Sequence, residues 1–343
     1  MPAVLVTGAS GYIGAHIVSQ LLEKKYTVIG TVRTGEKAKF LIEKFEDPNL
    51  SFEIVPDIAE ATAFDAAFEV HPEIEFVVHT AAVLPRGVPK EELHKQYVET
   101  SVAGTINILK TIEKYGPSVR HFVLTSSSAA LADLRLFEDS TILLTEDSWN
   151  ETSWEQVGDF ELFAYAYSKA EAERSAKEFT KRPEVKFTFS SVCPVWVLGP
   201  QRFVEMEGNS SSEAQLVASL VNAPVNSPGP FDTWGAAVDV RDVAKAHVLS
   251  VEKYAEFKDA RLVLANAEFT SQLLLNIINQ SFPELVGKIP AGNMVDHTVG
   301  MKKSHAAIDF SKTAEITGIE FIPLEKTIID GVKQILEYNA LKK

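Results

Sequence analysis

The chain has 343 residues, of which 45% are hydrophobic and 23% charged, and its 47 acidic and 33 basic side chains give a formal net charge of −14. This length and apolar content suit one large α/β unit with an added lobe. The negative charge argues against a nucleic acid or an anionic membrane as partner, because both would repel the protein. The single cysteine, Cys193, excludes an internal disulfide and a zinc cluster of thiolates. With neither a signal-peptide pattern nor an apolar run of membrane-spanning length, we expect a cytoplasmic protein.

Strands and helices are predicted to alternate along the first two thirds of the chain. The predicted strands are residues 4–6, 27–32, 53–55, 76–79, 121–125, 186–193 and 261–264. The predicted helices are residues 12–22, 63–69, 91–114, 165–179 and 238–251. Such alternation is typical of a doubly wound parallel sheet with helices on both faces. The pattern loosens after Pro194, where residues 208–212 and 226–231 are interpreted as loops, and the tail from Ser271 is predicted to be mainly helical.

A glycine-rich segment follows the first predicted strand. Gly8, Gly11 and Gly14 are spaced by three residues between that strand and a helix. Their expected roles are a tight turn, close backbone approach to a pyrophosphate, and close packing of the helix on the sheet, while the helix N-terminus attracts the anion. Glycines alone would also suit an ordinary turn, but this context predicts a dinucleotide site in a Rossmann fold. Other residues expected to contact the cofactor here are Ser10, Tyr12 and Ile13.

The end of the second predicted strand indicates which dinucleotide would bind. Sites that prefer NAD place an acidic residue there, whereas Arg33 stands at this strand end and Lys37 follows it. A guanidinium can stack on adenine and bind a 2′-phosphate, so we expect NADPH. The alternative is two solvated basic side chains. Asp57 and Ile58, after the third strand, are expected near the adenine, although Asp57 would also suit a solvated loop.

A tyrosine and a lysine are predicted to share one face of a helix. Tyr165 and Lys169 are four residues apart, and an ammonium close to a phenol lowers the pKa of its hydroxyl. The pair could therefore transfer a proton, although a surface pair with no function has the same spacing. Tyr167 faces elsewhere and is assigned to packing.

Hydroxyl groups are expected at the same edge of the sheet. The fifth strand ends in Ser126, Ser127 and Ser128, and the carboxyl ends of parallel strands open onto one crevice. One of these hydroxyls could bind a carbonyl oxygen, but spacing alone does not choose among them. After the fourth strand, Ala81 belongs to a run of small residues that lets the backbone pass beneath the cofactor, and His79 is assigned to packing.

These motifs together resemble the extended short-chain dehydrogenase/reductase family, and most closely its yeast NADPH-dependent methylglyoxal reductases. The resemblance extends to residues 55–58, 146–150, 194–200 and 238–247, and so to nearly the whole chain. It implies Ser127 as the hydroxyl that positions the carbonyl, Tyr165 as the acid and Lys169 as ribose ligand and pKa modifier. It also implies cofactor contacts from Pro194, Val195, Val197 and Ser211. Ser101 departs from the family, many members of which carry asparagine at that position.

We therefore expect a Rossmann domain formed by residues 1–193 and 236–266, with a smaller, mostly helical substrate-binding lobe formed by residues 194–235 and 267–343. The expected reaction is NADPH-dependent reduction of small or aryl aldehydes and ketones to alcohols, by a monomer or homodimer that needs no metal. The alternatives are an NAD-dependent sugar-nucleotide epimerase or dehydratase of the same fold, and a dinucleotide sensor without activity. The residues expected to wall the substrate pocket are Val83, Leu84, Ala132, Phe160, Leu162 and Trp196.

Overall fold

A central sheet of seven parallel strands organises the protein. The computed structural model describes residues 1–209, 213–227, 233–291 and 305–342. The central strands are β1 (Ala3–Thr7), β2 (Thr27–Val32), β3 (Leu50–Ile54), β4 (Ile74–His79), β5 (His121–Thr125), β7 (Thr188–Pro194) and β10 (Arg261–Leu264). Their spatial order is β10-β7-β5-β4-β1-β2-β3. All residues of β1 and β5 are buried, as expected for strands covered on both faces.

Two smaller sheets accompany the central one. Their strands are β6 (Leu143–Leu144), β8 (Trp196–Leu198), β9 (Trp234–Asp239), β11 (Ala267–Thr270) and β12 (Ala307–Ile308). One sheet has three strands, in the order β11-β9-β8, and the other pairs β12 with β6. The described residues form helices α1 (Tyr12–Glu23), α2 (Gly35–Phe45), α3 (Asp65–Val70), α4 (Thr100–Tyr115), α5 (Trp154–Val157), α6 (Glu161–Thr180), α7 (Ala214–Val221), α8 (Val240–Glu252), α9 (Ser271–Ser281), α10 (Ser311–Thr317) and α11 (Leu324–Leu341).

Helices cover both faces of the central sheet and bury separate apolar cores. On one face α1 packs against α8, and Ile17, Leu21 and Val243 are fully buried there. On the other face α4 packs against α6, with Ile108 and Phe179 in the second core. The chain runs from β1 to β2 on one side and later returns to β4 on the other. Ligands of such sheets bind at this switch point, beyond the carboxyl ends of β1 and β4.

A third apolar core lies in the C-terminal part of the chain. It brings together residues of α7, β11, α9 and α11, among them Leu216, Phe269, Leu274 and Ile328. The predicted division into residues 1–193 with 236–266 and residues 194–235 with 267–343 stays a prediction, and this separate core supports it. Arg241 pairs with Asp239 in its own part of the chain and, across the junction, with Asp330 of α11, each at 2.7 Å.

Several element boundaries differ from the prediction. The third strand is Leu50–Ile54, so the predicted residues 53–55 covered only its end. Helix α2 was missed, because five of its eleven residues are charged and only Leu41 of it is buried. The predicted helix 91–114 is a 3-10 turn, a π-helical turn over His94–Glu99 and then α4. Along the chain that the structure describes, no helix is both long and apolar enough to cross a membrane.

Candidate active site

The glycine-rich turn forms a backbone cradle between β1 and α1. Gly8 has φ +66°, and a Cβ there would lie 2.9 Å from Thr80 Oγ1 and 3.0 Å from the backbone nitrogen of Ala81. A Cβ on Gly14 would overlap the carbonyl oxygen of Gly8. Gly11 is the N-cap of α1 and has no side chain to bind the first N–H groups of the helix. Those N–H groups and the positive end of the helix dipole suit a pyrophosphate.

The carboxyl ends of β1 and β4 are joined directly beside this turn. Thr7 Oγ1 lies 2.8 Å from Nδ1 of His79 and accepts hydrogen bonds from the backbone nitrogens of Thr80 (3.1 Å) and Ala81 (3.2 Å). Burial lowers the pKa of His79 to about 3, so its ring is neutral at physiological pH. The contacts of His79 agree with its assignment to packing, and Ala81 lies at the mouth of the crevice next to Gly8.

Arg33 and Lys37 both lie exposed beyond the end of β2. Between them Thr34 begins α2, and its Oγ1 accepts a hydrogen bond from the backbone nitrogen of Lys37 at 3.5 Å. Among the described residues, neither basic side chain forms an ion pair with a carboxylate, so both cations are available to an anion. Glu36 is also exposed, on the first turn of α2. The arrangement suits a 2′-phosphate, and the role of the two residues stays a prediction.

Asp57 and Ile58 lie in the loop after β3. The carboxylate of Asp57 is exposed and accepts a hydrogen bond from the backbone nitrogen of Ala59 at 2.9 Å. Ile58 packs against Gly104 of α4, where a Cβ would approach it to 2.6 Å. The amide of Asn107 donates to the backbone oxygens of this loop, including that of Ala59 at 2.9 Å. The loop is therefore held by α4, with Asp57 free to face a ligand.

The structure brings Ser127, Tyr165 and Lys169 together at the carboxyl end of β5. The hydroxyl of Ser127 lies near enough to that of Tyr165 to lower its pKa, and it accepts a hydrogen bond from the backbone nitrogen of Ala129 at 3.2 Å. The Lys169 ammonium lies 5.8 Å from the centre of the Tyr165 ring and donates to the backbone oxygen of Thr125 at 3.1 Å. Lys169 is buried, whereas Tyr165 is half-buried and reaches the crevice. Hence α6 presents both side chains from one face, as their spacing predicts.

The neighbouring hydroxyls are engaged elsewhere. Ser126 donates to the buried carboxylate of Glu173 at 2.6 Å, and Thr125 Oγ1 lies 2.8 Å from Nε2 of His247. The structure thus distinguishes Ser127 from Ser126 in a way that spacing could not, because only the contacts show which hydroxyl faces Tyr165.

Ionisation of the two helix residues follows from their surroundings. Burial lowers the pKa of Lys169 to about 8. Burial and the carboxylate of Glu213 raise the pKa of Tyr165 above its usual value, while the nearby hydroxyl of Ser127 lowers it. Tyr165 is therefore protonated at neutral pH, which is the form that a proton donor requires. An alkoxide is a much stronger base than a phenolate, so a tyrosine with a raised pKa can still protonate one.

Glu213 is a site residue that the sequence analysis missed. Its carboxylate accepts a hydrogen bond from the backbone nitrogen of Val197 at 3.3 Å, and burial raises its pKa to about 7. Pro194, Val195 and Val197, the predicted nicotinamide contacts in this segment, are all buried. Nothing local marks Glu213 as special, because its loop composition is that of an ordinary helix start. The predicted contact Ser211 lies outside the described residues.

The predicted pocket residues differ in packing and exposure. Val83 packs against the same buried cluster as Tyr165, and Trp196 packs edge-on against Phe269 with ring centres 6.0 Å apart. Leu84 is 40% exposed, Phe160 69% and Leu162 54%, more than a packed core residue would be. Ala132 is buried in an apolar cluster with Cys193 and Val263, beside β7 and β10. Their role as pocket walls stays a prediction.

Comparison with known proteins assigns the chain to a family. Residues 4–265 match the model of the NAD dependent epimerase/dehydratase family. The chain is 38% identical over 340 residues to a putative NADPH-dependent methylglyoxal reductase of Candida albicans, covering 97% of this chain and 98% of that protein. It is 38% identical over 348 residues to an NADPH-dependent methylglyoxal reductase of Saccharomyces cerevisiae, covering 98% and 99%.

Solved structures agree with the sequence comparison. The crystal structure of a yeast methylglyoxal/isovaleraldehyde reductase complexed with NADPH superposes with a TM-score of 0.93 at 38% identity, covering 98% of this chain and 99% of that one. The same match confirms the predicted doubly wound parallel sheet with a helical C-terminal region. The chain is thus a member of the NAD dependent epimerase/dehydratase family, within the extended short-chain dehydrogenases and reductases.

Proposed function

We propose that the protein reduces aldehydes and ketones to alcohols with NADPH. The observation that carries the proposal is the grouping of Ser127, Tyr165 and the Lys169 ammonium at the carboxyl end of β5, the edge of the sheet where the glycine turn also lies. The relatives described above are NADPH-dependent methylglyoxal reductases, so small dicarbonyl compounds are the first substrates to test. Aryl ketones are the second class, because the predicted pocket walls, among them Val83 and Trp196, are apolar and would pack against an aryl ring.

Each group of the site has a defined part in this reaction. The first turn of α1, with Gly8 and Gly11, would hold the pyrophosphate, and Arg33 and Lys37 would bind the 2′-phosphate. Lys169 would bind the ribose, while Pro194 and Val197 would flank the nicotinamide. When bound, NADPH supplies the hydride that reduces the carbonyl carbon.

The proton is handled by the protein. Ser127 donates a hydrogen bond to the carbonyl oxygen and holds it against Tyr165. The Tyr165 hydroxyl gives its proton to that oxygen as negative charge develops on it. The Lys169 ammonium then stabilises the phenolate until solvent returns a proton. Because the arrangement stabilises the oxyanion rather than the substrate, loss of any of the three groups should lower kcat.

The proposal is tested by incubating the purified protein with NADPH and a panel of carbonyl compounds, and by identifying each product and its chirality. The expected result is one alcohol formed for each NADPH consumed, with one enantiomer in excess for prochiral ketones. A protein that interconverts sugar nucleotides without net consumption of NADPH would instead be an epimerase. Arg33 at the end of β2, where NAD sites place an acid, favours the reductase.

A further inference from the structure

One carboxylate at the start of α6 holds the loop that follows β4. Glu161 accepts hydrogen bonds from three consecutive backbone nitrogens, those of Arg86 (3.0 Å), Gly87 (2.9 Å) and Val88 (2.9 Å). Gly87 has φ +80°, a conformation that glycine adopts without strain. This turn lets the three N–H groups converge on one point and form a concave anion site, which the side chain of Glu161 fills.

A buried tyrosine ties this contact to the candidate proton donor. The hydroxyl of Tyr97 donates to Glu161 at 2.6 Å and lies 3.3 Å from the backbone oxygen of Leu84 in the same loop. Tyr97 is fully buried, and its ring meets the ring of Tyr165 edge-on with centres 6.5 Å apart. The side chain of Tyr97 therefore contacts the loop, Glu161 at the start of α6, and Tyr165 one turn later on the same helix.

The carboxyl group of Glu161 is ionised at physiological pH. Burial raises the pKa of its carboxyl, but the hydrogen bonds from Tyr97 and the three backbone nitrogens together lower it to about 2. A carboxylate that accepts several N–H bonds holds them more strongly than a neutral acceptor would. The ion pair of Lys90 with Asp159 fastens the far end of the loop to the residues just before α6. The loop is thus held by Glu161 at the start of α6, and the segment that follows the loop is held just before that helix.

We infer that Glu161 is a positioning residue that fixes the loop of residues 83–88 over the crevice and so sets which carbonyl substrates fit. The inference deepens the proposed function and rests on it. Val83 and Leu84 belong to this loop, and Val83 packs in the cluster that includes Tyr97 and Tyr165. A loop whose three backbone nitrogens are held by Glu161 keeps its wall at a fixed distance from the Tyr165 hydroxyl. Once released, it would orient a carbonyl less well, and bulky substrates would depend on it most.

The first test compares Glu161→Ala and Glu161→Gln with the parental protein on carbonyl compounds of increasing size. For Glu161→Ala we expect the KM of a bulky aryl ketone to rise about tenfold, which is a loss of about 1.4 kcal/mol. The KM of methylglyoxal should rise less, and kcat and the KM of NADPH should stay within about threefold. Glu161→Gln should show a smaller effect, because an amide oxygen still accepts hydrogen bonds. Tyr97→Phe removes only one of the four hydrogen bonds that Glu161 accepts, so its effect should also be small.

The matched control is Glu178→Gln on the same helix, where the carboxylate forms an exposed ion pair with Lys181. It should leave every constant unchanged. If Glu161→Ala folds, as judged by circular dichroism, and keeps the parental preference for substrate size, the assignment is overturned.

Amide hydrogen exchange separates this inference from the proposed function, because it needs no turnover. The amides of Arg86, Gly87 and Val88 should exchange slowly in the parental protein and at least about tenfold faster in Glu161→Ala. Unchanged exchange would overturn the role of Glu161 even in an active enzyme. A parental protein that reduces no carbonyl compound, yet shows the expected exchange, would overturn the proposed function and leave the loop attachment standing without a role in substrate choice.

Discussion

The Lys169 ammonium donates a hydrogen bond to the backbone oxygen of Thr125 at 3.1 Å, and this contact fixes α6 to the carboxyl end of β5. Two residues after Thr125 the chain presents Ser127, and one helical turn before Lys169 it presents Tyr165. The contact therefore sets the distance between a hydroxyl on a strand end and a phenol on a helix. It also places a positive charge in a buried position, with consequences for pH dependence and stability.

The pH dependence of kcat/KM should show the loss of the proton from Lys169. Burial lowers its pKa to about 8 in the free protein, so the ammonium is present below that pH and lost above it. Because the charged form assists Tyr165, kcat/KM for NADPH should be level at neutral pH and fall as the pH rises through about 8. Glu213, with a pKa of about 7, titrates nearby, so the profile is repeated with Glu213→Gln. A fall that disappears in this variant would assign it to Glu213 instead.

Lys169→Met should make the protein more stable while removing its activity. The lowered pKa means that burying the ammonium destabilises the folded state. Removing the charge should therefore raise the free energy of unfolding by on the order of 1–3 kcal/mol. Methionine fills similar space without a charge, so Tm at neutral pH should rise by about 2–6 °C. The difference in Tm between Lys169→Met and the parental protein should narrow as pH rises from about 8 towards 10, because the lysine of the folded parental protein then loses its proton. A Tm that falls would show that the bond to Thr125 outweighs the burial cost.

Tyr165→Phe tests the proton donor. The change removes one hydroxyl from a half-buried ring and leaves its packing against Tyr97 in place. We expect kcat to fall by about 10²–10⁴-fold, the usual contribution of a positioned general acid. The affinity for NADPH, measured by fluorescence titration, should change little. Tyr167→Phe is the matched control, because Tyr167 packs against Trp154 instead of facing Ser127. Near-parental turnover in Tyr165→Phe would refute the assignment.

Arg33→Ala should weaken NADPH binding without affecting NADH. A hydrogen bond to a charged group contributes about 1.5–3 kcal/mol, so the KM of NADPH should rise about tenfold to a hundredfold. Lys37→Ala should have a smaller effect, because a lysine makes a single point contact where arginine can make two. Lys39→Ala serves as control, since this exposed lysine on the same helix pairs with Glu43. An unchanged KM for NADPH in Arg33→Ala would contradict the 2′-phosphate role.

Sequence predicted those parts of the site that depend on local spacing. The glycine turn and the Tyr165–Lys169 pair could be recognised because strand, turn and helix follow one another within a few residues. The choice of Ser127 over Ser126 needed either the family resemblance or the contact with Glu173. Glu161 looked like an ordinary acidic residue in the first turn of a helix, and its partners at Arg86, Gly87 and Val88 are more than 70 residues away in the chain.

The same contrast applies to the fold. Buried strands such as β1 were predictable because nearly all of their side chains are apolar. The π-helical turn over His94–Glu99 was not, since apolar periodicity runs on through it into α4. Strands β8 and β11 have only three and four residues, and their pairing with β9 depends on the tertiary packing of the C-terminal part. Likewise, exposure of Phe160 and Leu162 could not be judged from their apolar character alone.

The most direct measurement is the steady-state consumption of NADPH by the purified protein with methylglyoxal, made beside the same assay with NADH. Arg33, Lys37 and the site at Tyr165 predict carbonyl-dependent oxidation of NADPH with kcat/KM at least about tenfold above that for NADH. Equal rates with the two cofactors would contradict the assignment of the 2′-phosphate site. No oxidation of NADPH with methylglyoxal or with any aldehyde or ketone of the panel would contradict the proposed function itself.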